Sequence, residues 1–377
     1  MDTRLKNLWE RENWPNFFWQ IETIKPKLDS IRLLQGRLLG KLDDLPVSFE
    51  HQAQVDILVE NVMRNRGVAD QFINLESFMN SACGFVQQEH QDPSDIDEES
   101  ISSLLNLWIE IGNQPQQNLS SRKLAYWHEA LFSNQLTNQA ETTFMPYGVL
   151  RTDQIPQLAI NKTLNEEIHY EPPPQFTVNL ELLGFLQWYN HKPEGLDSLL
   201  RAGIAHLWFM ALQPYEKGNG RLARIVTDLA LAQSESSSFK YYSLSSSIAI
   251  NRSFYNRCLG VALDGDLDLT QWLTDFLTML EDAILQGISR INHFMRKTRY
   301  WQKHSQTLLN ARQLKLLNTL LDAKEKDEDT ANIYASKYMS ITSVSKATAT
   351  RELSDLLQKN CIRKLPGGGR NTRYVIA

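Results

Sequence analysis

The sequence predicts a mainly helical protein built in three parts. Apolar residues recur at helical period through most of the chain, including both sides of a glycine-containing loop at residues 213–220. The C-terminal segment 331–377 differs in charge. It has eight Lys/Arg and two Asp/Glu residues, a net charge of +6, which leaves −11 for the rest of the chain. A basic segment on an acidic body indicates a polyanionic partner at that end.

Length and composition are typical of a soluble globular protein. The 377 residues are 42% hydrophobic and 22% charged, and they suffice for two or three domains. Cys83, Cys258 and Cys361 have no C-x-x-C spacing, which indicates a reducing compartment and no zinc site. The N-terminus lacks a secretion signal, and no apolar run approaches the ~20 residues that span a membrane. We expect a cytoplasmic protein without a membrane partner and without a metal site of its own.

Residues 1–95 are predicted to form an N-terminal helical domain. Five aromatic residues lie close together near its start: Trp9, Trp14, Phe17, Phe18 and Trp19. A stripe at helical period follows them: Leu28, Ile31, Leu34, Gln35, Leu38 and Leu39. We interpret the aromatic residues as core packing rather than as a ligand site.

The segment from Gln213 to Arg224 is the most informative about function. Pro214 ends the helix before it, and Gly218 and Gly220 permit a tight loop before a second helix begins. The first amides of a helix lack intrahelical partners and lie at the positive end of its dipole, so this loop can bind an anion. Three side chains can add hydrogen bonds to phosphate oxygens: Asn219, Arg221 and Arg224.

This segment resembles the motif of the Fic (Fic/Doc) family, H-P-F-x-[D/E]-G-N-G-R-x-x-R. Seven positions match: Pro214, Tyr215 (for Phe), Gly218, Asn219, Gly220, Arg221 and Arg224. The family transfers AMP, and less often other phosphate-containing groups, from a nucleotide to a protein hydroxyl. The resemblance therefore implies a helical core with a β-hairpin flap, ATP as the nucleotide, and a protein target.

Two functional positions of the motif differ. Gln213 stands where the family has its general-base histidine, and Lys217 stands where it has its magnesium-holding acid. An amide does not titrate near pH 7, so Gln213 can orient a hydroxyl but cannot take its proton. Lys217 disfavours Mg²⁺ at that point and could instead neutralise phosphate directly. His206 lies seven residues before Gln213, roughly 10 Å along the same helix, and cannot replace the base.

The resemblance extends on both sides of the motif, over a predicted Fic core at residues 96–295. Gly148 and Arg151 match the G-x-x-R segment that begins the family's flap and registers the backbone of the target. Residues 1–95 resemble the helical domain that precedes the core in one bacterial branch. That branch has an inhibitory helix whose glutamate pairs with the second motif arginine. Ala69 stands at the position of this glutamate, so no carboxylate remains there to make the pair. An ordinary surface helix is an equally good interpretation of this segment.

The C-terminal part is predicted as a helical spacer at residues 296–330 and a winged helix-turn-helix at 331–377. The second segment has two short helices, a turn and a basic hairpin with a glycine-rich tip. Four cations are candidate DNA contacts: Lys346, Arg351, Arg370 and Arg373. A winged helix that docks another protein is the alternative.

Two functions remain open on sequence alone. The first is a degenerate Fic protein, a nucleotide-binding regulator with a DNA-binding tail and impaired catalysis. It rests on the departures at Gln213, Lys217 and Ala69. The second is an active AMP or other phosphate-group transferase that uses Gln213 and Lys217 in place of the usual base and metal ligand. Expected partners are a nucleotide, a protein target and DNA, and the sequence leaves a homodimer open.

Overall fold

The computed structural model describes most of the chain. It covers residues 7–43, 45–65, 82–83, 106–108, 110–112, 115–136, 148–152, 158–163, 166–235, 240–322, 332–366 and 372–377. The chain separates into two compact units, one ending at Arg290 and one beginning at Ile291. Both are dominated by helices, so the prediction of a mainly helical protein is confirmed.

The first unit contains most of the helices and one hairpin. After a short 3₁₀ turn at Leu8–Glu10, its elements in chain order are α1 (Ile21–Leu42), α2 (Val47–Asn65), α3 (Ser121–Leu136), β1 (Leu158–Thr163), β2 (Glu166–Tyr170), α4 (Gln175–His191), α5 (Ser198–Leu212), α6 (Asn219–Ala232), α7 (Leu244–Ile250), α8 (Arg252–Leu263) and α9 (Thr270–Lys303). Strands β1 and β2 pair antiparallel, with Leu158 opposite Tyr170. The hairpin expected for the core is therefore present.

Helix α5 is the centre of the first unit. Every residue from Leu199 to Leu212 is buried, as expected for a helix that is apolar on all sides. Gly203 permits the approach of α9, because a Cβ at this position would lie 2.9 Å from the Phe276 ring. The Trp272 indole also donates to the Gly203 carbonyl at 2.8 Å. The core therefore holds α5 in place, and the motif loop begins at the C-terminal end of this helix.

The N-terminal helix α1 packs against this core through its predicted stripe. Leu28, Ile31 and Leu38 are buried, as is Gln35, whose amide donates to Glu235 at 2.9 Å. Leu39 is exposed, so the stripe is narrower than predicted.

The aromatic residues near the start of the chain divide between core and surface. Trp14 and Phe17 pack edge-on against Trp208 of α5, with ring centroids 5.8 and 5.5 Å away. Phe18 is exposed. Core packing is therefore confirmed for Trp14 and Phe17 but not for Phe18.

The second unit has the element order that the sequence predicts for its C-terminal part. It contains the end of α9, then α10 (Ala311–Asp322), α11 (Ala335–Thr342), α12 (Lys346–Gln358), β3 (Ile362–Lys364) and β4 (Tyr374–Ile376). Strands β3 and β4 pair antiparallel, and Ile333 bridges to Tyr374 beside them. Ser345 caps α12, since its hydroxyl accepts from the Thr348 amide at 3.3 Å.

Residues 296–330 were predicted to form a helical spacer, but where they are described they belong to the second unit. These residues contribute side chains to the core of that unit: Tyr300, Leu316, Leu317 and Leu320. Helix α10 has an apolar stripe, and burying it against α11 and α12 removes that surface from water. Ala349 of α12 is also in this core.

Within the described residues, none of the helices combines the length and the apolarity that a membrane span requires.

Candidate functional site

The motif loop begins with two residues in defined backbone conformations. Gln213 ends α5 with φ 41°, in the left-handed region that a non-glycine residue rarely adopts. Its backbone N–H donates to the Phe209 carbonyl at 3.1 Å. Gly218 precedes α6 with φ 78°. The loop between them is therefore a tight reversal that ends at the N-terminus of α6.

Gly218 is required for its space as well as for its backbone angle. A Cβ at this position would lie 2.7 Å from the Phe132 ring of α3. Arg221, one turn into α6, stacks on the same ring with its guanidinium carbon 4.9 Å from the centroid. Phe132 therefore positions both the glycine backbone and the first motif arginine.

Asn219 closes the loop on itself. Its Oδ1 accepts from the Tyr215 amide at 3.0 Å, and its Nδ2 donates to the Tyr215 carbonyl at 2.6 Å. The side chain is buried. The sequence suggested a contact between this amide and an anion, whereas the structure uses it to hold the loop in shape.

Arg224 lies on the inner side of α6, beside a buried polar pair. The pKa of Arg224 is lowered to about 10, chiefly by burial and to a smaller extent by the nearby Arg221 and Arg252, while Tyr255 opposes the shift. The Tyr255 hydroxyl lies 2.9 Å from Nε2 of His206. Arg224 remains a cation at neutral pH, held in a poorly solvated position.

His206 is a buried core histidine, as the sequence suggested. Its Nδ1 lies 2.9 Å from the Thr227 hydroxyl, which itself donates to the Ala223 carbonyl at 2.6 Å. We therefore assign the ring proton to Nδ1. The pKa of His206 is lowered to about 3, chiefly by burial and in part by the charge of Arg224. This histidine is neutral and fully used within the core.

Gln213 is buried beneath the loop rather than presented to solvent. Only 3% of its surface is exposed, and its Nε2 has no hydrogen-bond partner. An orphan donor in a buried position is costly, so Gln213 has spare capacity to bind an oxygen atom that reaches it. Lys217, four residues along, is exposed. The two substituted motif positions are therefore in very different surroundings.

Arg151 braces the start of the loop from below. Its Nε donates to the Gln213 carbonyl at 2.8 Å and its amide to the Pro214 carbonyl at 3.0 Å, while Nη2 donates to the Pro173 carbonyl. Burial lowers the pKa of this guanidinium, and the nearby Tyr170 opposes that shift. The sequence predicted Arg151 as a flap residue that meets the target. In the structure 4% of its surface is exposed, and its side chain donates to the carbonyl groups named above.

Sequence reasoning missed His128, which connects the segment at Gly148 to the motif loop. The Gly148 amide donates to Nδ1 at 2.9 Å, so we assign the ring proton to Nε2, which donates to the Lys217 carbonyl at 3.0 Å. The ring stacks on Tyr215, with centroids 4.3 Å apart.

Burial and the nearby Arg221 lower the pKa of His128, although its bond to the Lys217 carbonyl opposes them. The only sequence signal for His128 is its place on the face that Leu124 and Leu131 share in the predicted helix. Such placement does not distinguish a loop contact from core packing.

The remaining predicted site residues fall into three groups. Gly148 is described, with φ 80°, in the left-handed region that favours glycine. Lys346, Arg351 and Arg373 are exposed in the second unit. Ala69 and Arg370 lie outside the described residues.

Comparison with known families agrees with this geometry. Residues 118–231, which contain α3 to the last turn of α6, match the Fic/DOC family. The chain carries a Fic/DOC family domain. Residues 7–83, before the Fic/DOC domain, match a domain of unknown function, DUF4172. Residues 118–231 lie within the core predicted at 96–295, and residues 7–83 lie within the N-terminal domain predicted at 1–95.

Three solved structures are similar to the chain. A Fic family protein from Desulfovibrio desulfuricans G20 is 16% identical, with a TM-score of 0.49, covering 96% of this chain and 97% of that one. A signaling protein with a Fic domain from Bacteroides thetaiotaomicron is 13% identical, with a TM-score of 0.46 and coverages of 71% and 96%. Fic-1 from C. elegans is 18% identical, with a TM-score of 0.44 and coverages of 73% and 73%.

Proposed function

We propose that the Fic/DOC domain binds the phosphates of a nucleotide at the start of α6 but transfers AMP poorly. The observation that carries this proposal is the contrast between an intact anion loop and a buried glutamine at the base position. The α6 amides, Arg221 and Arg224 supply donors and positive charge at one place. Gln213 cannot accept a proton.

The missing base affects one defined step. In AMP transfer, a target hydroxyl oxygen attacks the α-phosphorus of ATP, pyrophosphate leaves, and the hydroxyl proton must go to a base. A positioned base contributes ~10²–10⁴-fold to such a step, so its loss leaves a slow reaction rather than none. With Nε2 unpartnered, Gln213 can still hold an oxygen atom near the phosphate.

Magnesium does not fit the metal-anchoring position of this motif. Mg²⁺ prefers carboxylate and other oxygen ligands, whereas Lys217 presents an exposed ammonium there. We expect Lys217 to neutralise phosphate charge directly, so that nucleotide affinity depends little on Mg²⁺.

Calorimetry with ATP and ADP, with and without Mg²⁺, tests nucleotide binding. Arg221→Ala should lose most of the binding signal. Arg257→Ala is the matched control, because Arg257 also stacks on a phenylalanine ring, at 5.5 Å from Phe254, but lies on α8. No binding by the wild type at millimolar nucleotide would contradict the proposal.

Reconstruction of the motif tests the proposed cause of low activity. Labelled ATP should give little transfer with the wild type and partial transfer with Gln213→His. Gln213→His with Lys217→Glu should give more, since a base and a metal ligand act on the same transition state and should couple. Robust transfer by the wild type would instead support the second candidate, an active transferase that uses Gln213 and Lys217.

We further propose that the second unit is a winged helix that binds duplex DNA. Its helix–turn–helix order, the basic charge of residues 331–377 and the exposed Lys346, Arg351 and Arg373 support this function. Mobility shifts of the full chain at low salt test it. Arg373→Ala should weaken binding to all sequences alike, and Arg351→Ala should also alter sequence preference. Arg37→Ala, an exposed change on α1, is the control. A wild type that shifts no duplex would contradict DNA binding.

A further inference from the structure

A cavity near the C-terminal end of α6 contains polar groups that the nucleotide site does not use. It lies between α2, α6 and the segment around Trp108. Asp228 in its wall comes nine residues after Asn219, about 14 Å along the helix from the start of α6, so the cavity is separate from the motif loop. Apolar side chains form most of the wall: Ile57, Leu58, Ile111 and Ala232.

Two polar groups in the cavity wall have no hydrogen-bond partner within the part of the chain that the structure describes. They are Oδ2 of Asp228, which accepts, and Nε1–H of Trp108, which donates. Asp228 is 1% exposed and Trp108 is 6% exposed, so bulk water does not serve them freely. Because an unsatisfied buried polar group is costly, each of these side chains has unused capacity for a group that enters the cavity.

The charged groups in the cavity wall already have partners in the protein. Lys240 forms an ion pair with Oδ1 of Asp228. Burial lowers the pKa of Lys240 to about 7, while the Asp228 carboxylate beside it favours the charged ammonium. Glu235 accepts from the Tyr242 hydroxyl and from the Gln35 amide. An anion in the cavity would meet the carboxylates, and a cation would meet the ammonium, so an uncharged ligand fits best.

The size of the cavity limits the group that can enter it. The space open to the centres of water-sized groups is about 30 Å³. One such group needs about 10–15 Å³, so about two fit side by side. An acceptor for Trp108 and a donor for Asp228 on neighbouring positions match this space, and a primary amide carries them as its carbonyl oxygen and its NH₂. The cavity is not fully enclosed, so the rest of a ligand can extend toward solvent.

We propose that this cavity binds the primary amide group of a small uncharged molecule. The amide oxygen accepts from Nε1 of Trp108, the amide nitrogen donates to Oδ2 of Asp228, and the carbon atoms contact the apolar wall. Two water molecules would also supply both hydrogen bonds, but they would leave the apolar wall hydrated. The carbon atoms of an amide ligand remove that surface from water, which favours the amide over the two waters.

NMR of the full chain with ¹⁵N-labelled tryptophan tests the site with small probe molecules. Acetamide should shift the indole N–H signal of Trp108 saturably, with a Kd in the millimolar range because the ligand is so small. Trp108→Phe removes this signal and so assigns it. Acetate and acetamidinium have the same planar shape but carry a negative and a positive charge, and they should give no saturable shift. 2-Propanol is of similar size but has one polar atom, so it should bind more weakly than acetamide.

Trp208 is the matched control in the same spectra. Among the described residues its Nε1 is likewise buried without a hydrogen-bond partner, but Trp208 does not line this cavity, so its signal, assigned with Trp208→Phe, should not move. Ala232→Leu should abolish the Trp108 shift, because the added carbon atoms fill the cavity.

Four results would each overturn the proposal. The first is no saturable shift of the wild-type Trp108 signal at about 100 mM acetamide, which would leave water as the occupant. The others are an equal response to acetate or acetamidinium, equal affinity for 2-propanol, and an acetamide shift that Ala232→Leu retains. None of these results bears on nucleotide binding, which calorimetry measures separately.

Discussion

The two regions for which we propose anion binding hold their cations in opposite ways. Around the motif loop, Arg151 is buried under carbonyl groups, and Arg221 is stacked on Phe132. In the second unit, Arg351 and Arg373 are exposed. The first arrangement holds positive charge in one geometry, whereas the second leaves it to adapt to its partner.

This difference indicates what each region can recognise. A cation removed from water interacts more strongly with an anion, because the effective dielectric constant is lower. It therefore suits one small, well-placed phosphate group. Exposed cations are screened by salt and act additively, which suits an extended polyanion. This contrast is consistent with the two proposals made above, a nucleotide phosphate for the first unit and duplex DNA for the second.

Arg151→Ala should have the largest effect on the stability of the first unit. It removes a buried cation and leaves the Gln213 and Pro173 carbonyls without their donors, which should lower the free energy of unfolding of the first unit by about 3 kcal/mol. Urea unfolding followed by tryptophan fluorescence reports on this unit, because eight of the nine tryptophans precede residue 290. Arg151→Lys should fall between wild type and alanine. A wild-type midpoint for Arg151→Ala would mean that the brace contributes nothing.

Gly218→Ala should have the next largest effect on stability, and Gly195→Ala is its matched control. Both glycines have positive φ, 78° and 76°, so both changes should cost about 1 kcal/mol of backbone strain. Only Gly218 also faces the Phe132 ring, whose displacement should add about 2 kcal/mol. Because Arg221 stacks on that ring, Gly218→Ala should also weaken nucleotide binding. Equal urea midpoints for the two variants would contradict the steric explanation.

Buried histidines should make the first unit sensitive to mild acid. The pKa of His206 is lowered to about 3, so the unfolded chain takes up the proton first as the pH falls below 6.5. The stability that neutral His206 supports is complete above pH 6.5 and is lost as the pH falls, with a slope of up to about 1.4 kcal/mol per pH unit. His128, whose pKa is also lowered, acts in the same direction.

His206→Gln should reduce this slope between pH 6.5 and 5, where most carboxylates do not yet titrate. Urea midpoints at several pH values measure it. An NMR titration of the wild-type imidazole gives an independent check if the variant folds poorly. A ring that protonates near pH 6 would contradict the prediction.

Arg351→Ala and Arg373→Ala should have the smallest effect on folding. Both side chains are exposed, so the Tm of the second unit should stay unchanged while DNA affinity falls. Calorimetric scanning measures the Tm. A clear loss of stability in either variant would show that these cations are structural, as Arg151 is, and would remove the contrast between the two regions.

The sequence alone determined the helices and the motif loop, because periodicity and backbone chemistry are local properties. The apolar run of α5, Pro214 and Gly218 predict a helix, its end and a new helix start, and the structure has each of them. Ser345 similarly predicts the start of α12. These features depend on neighbours within a few residues.

Only the tertiary structure decided which distant groups meet. Arg151 donates to the Gln213 carbonyl, 62 residues away, and His128 to the Lys217 carbonyl, 89 residues away. Phe176, Leu180 and Leu183 of α4 are exposed, although large apolar residues on a helix are more often buried. Apolar periodicity predicts which side of a helix is buried. It does not predict which element covers that side, because the hydrophobic effect is non-directional and the partner depends on how the whole chain packs.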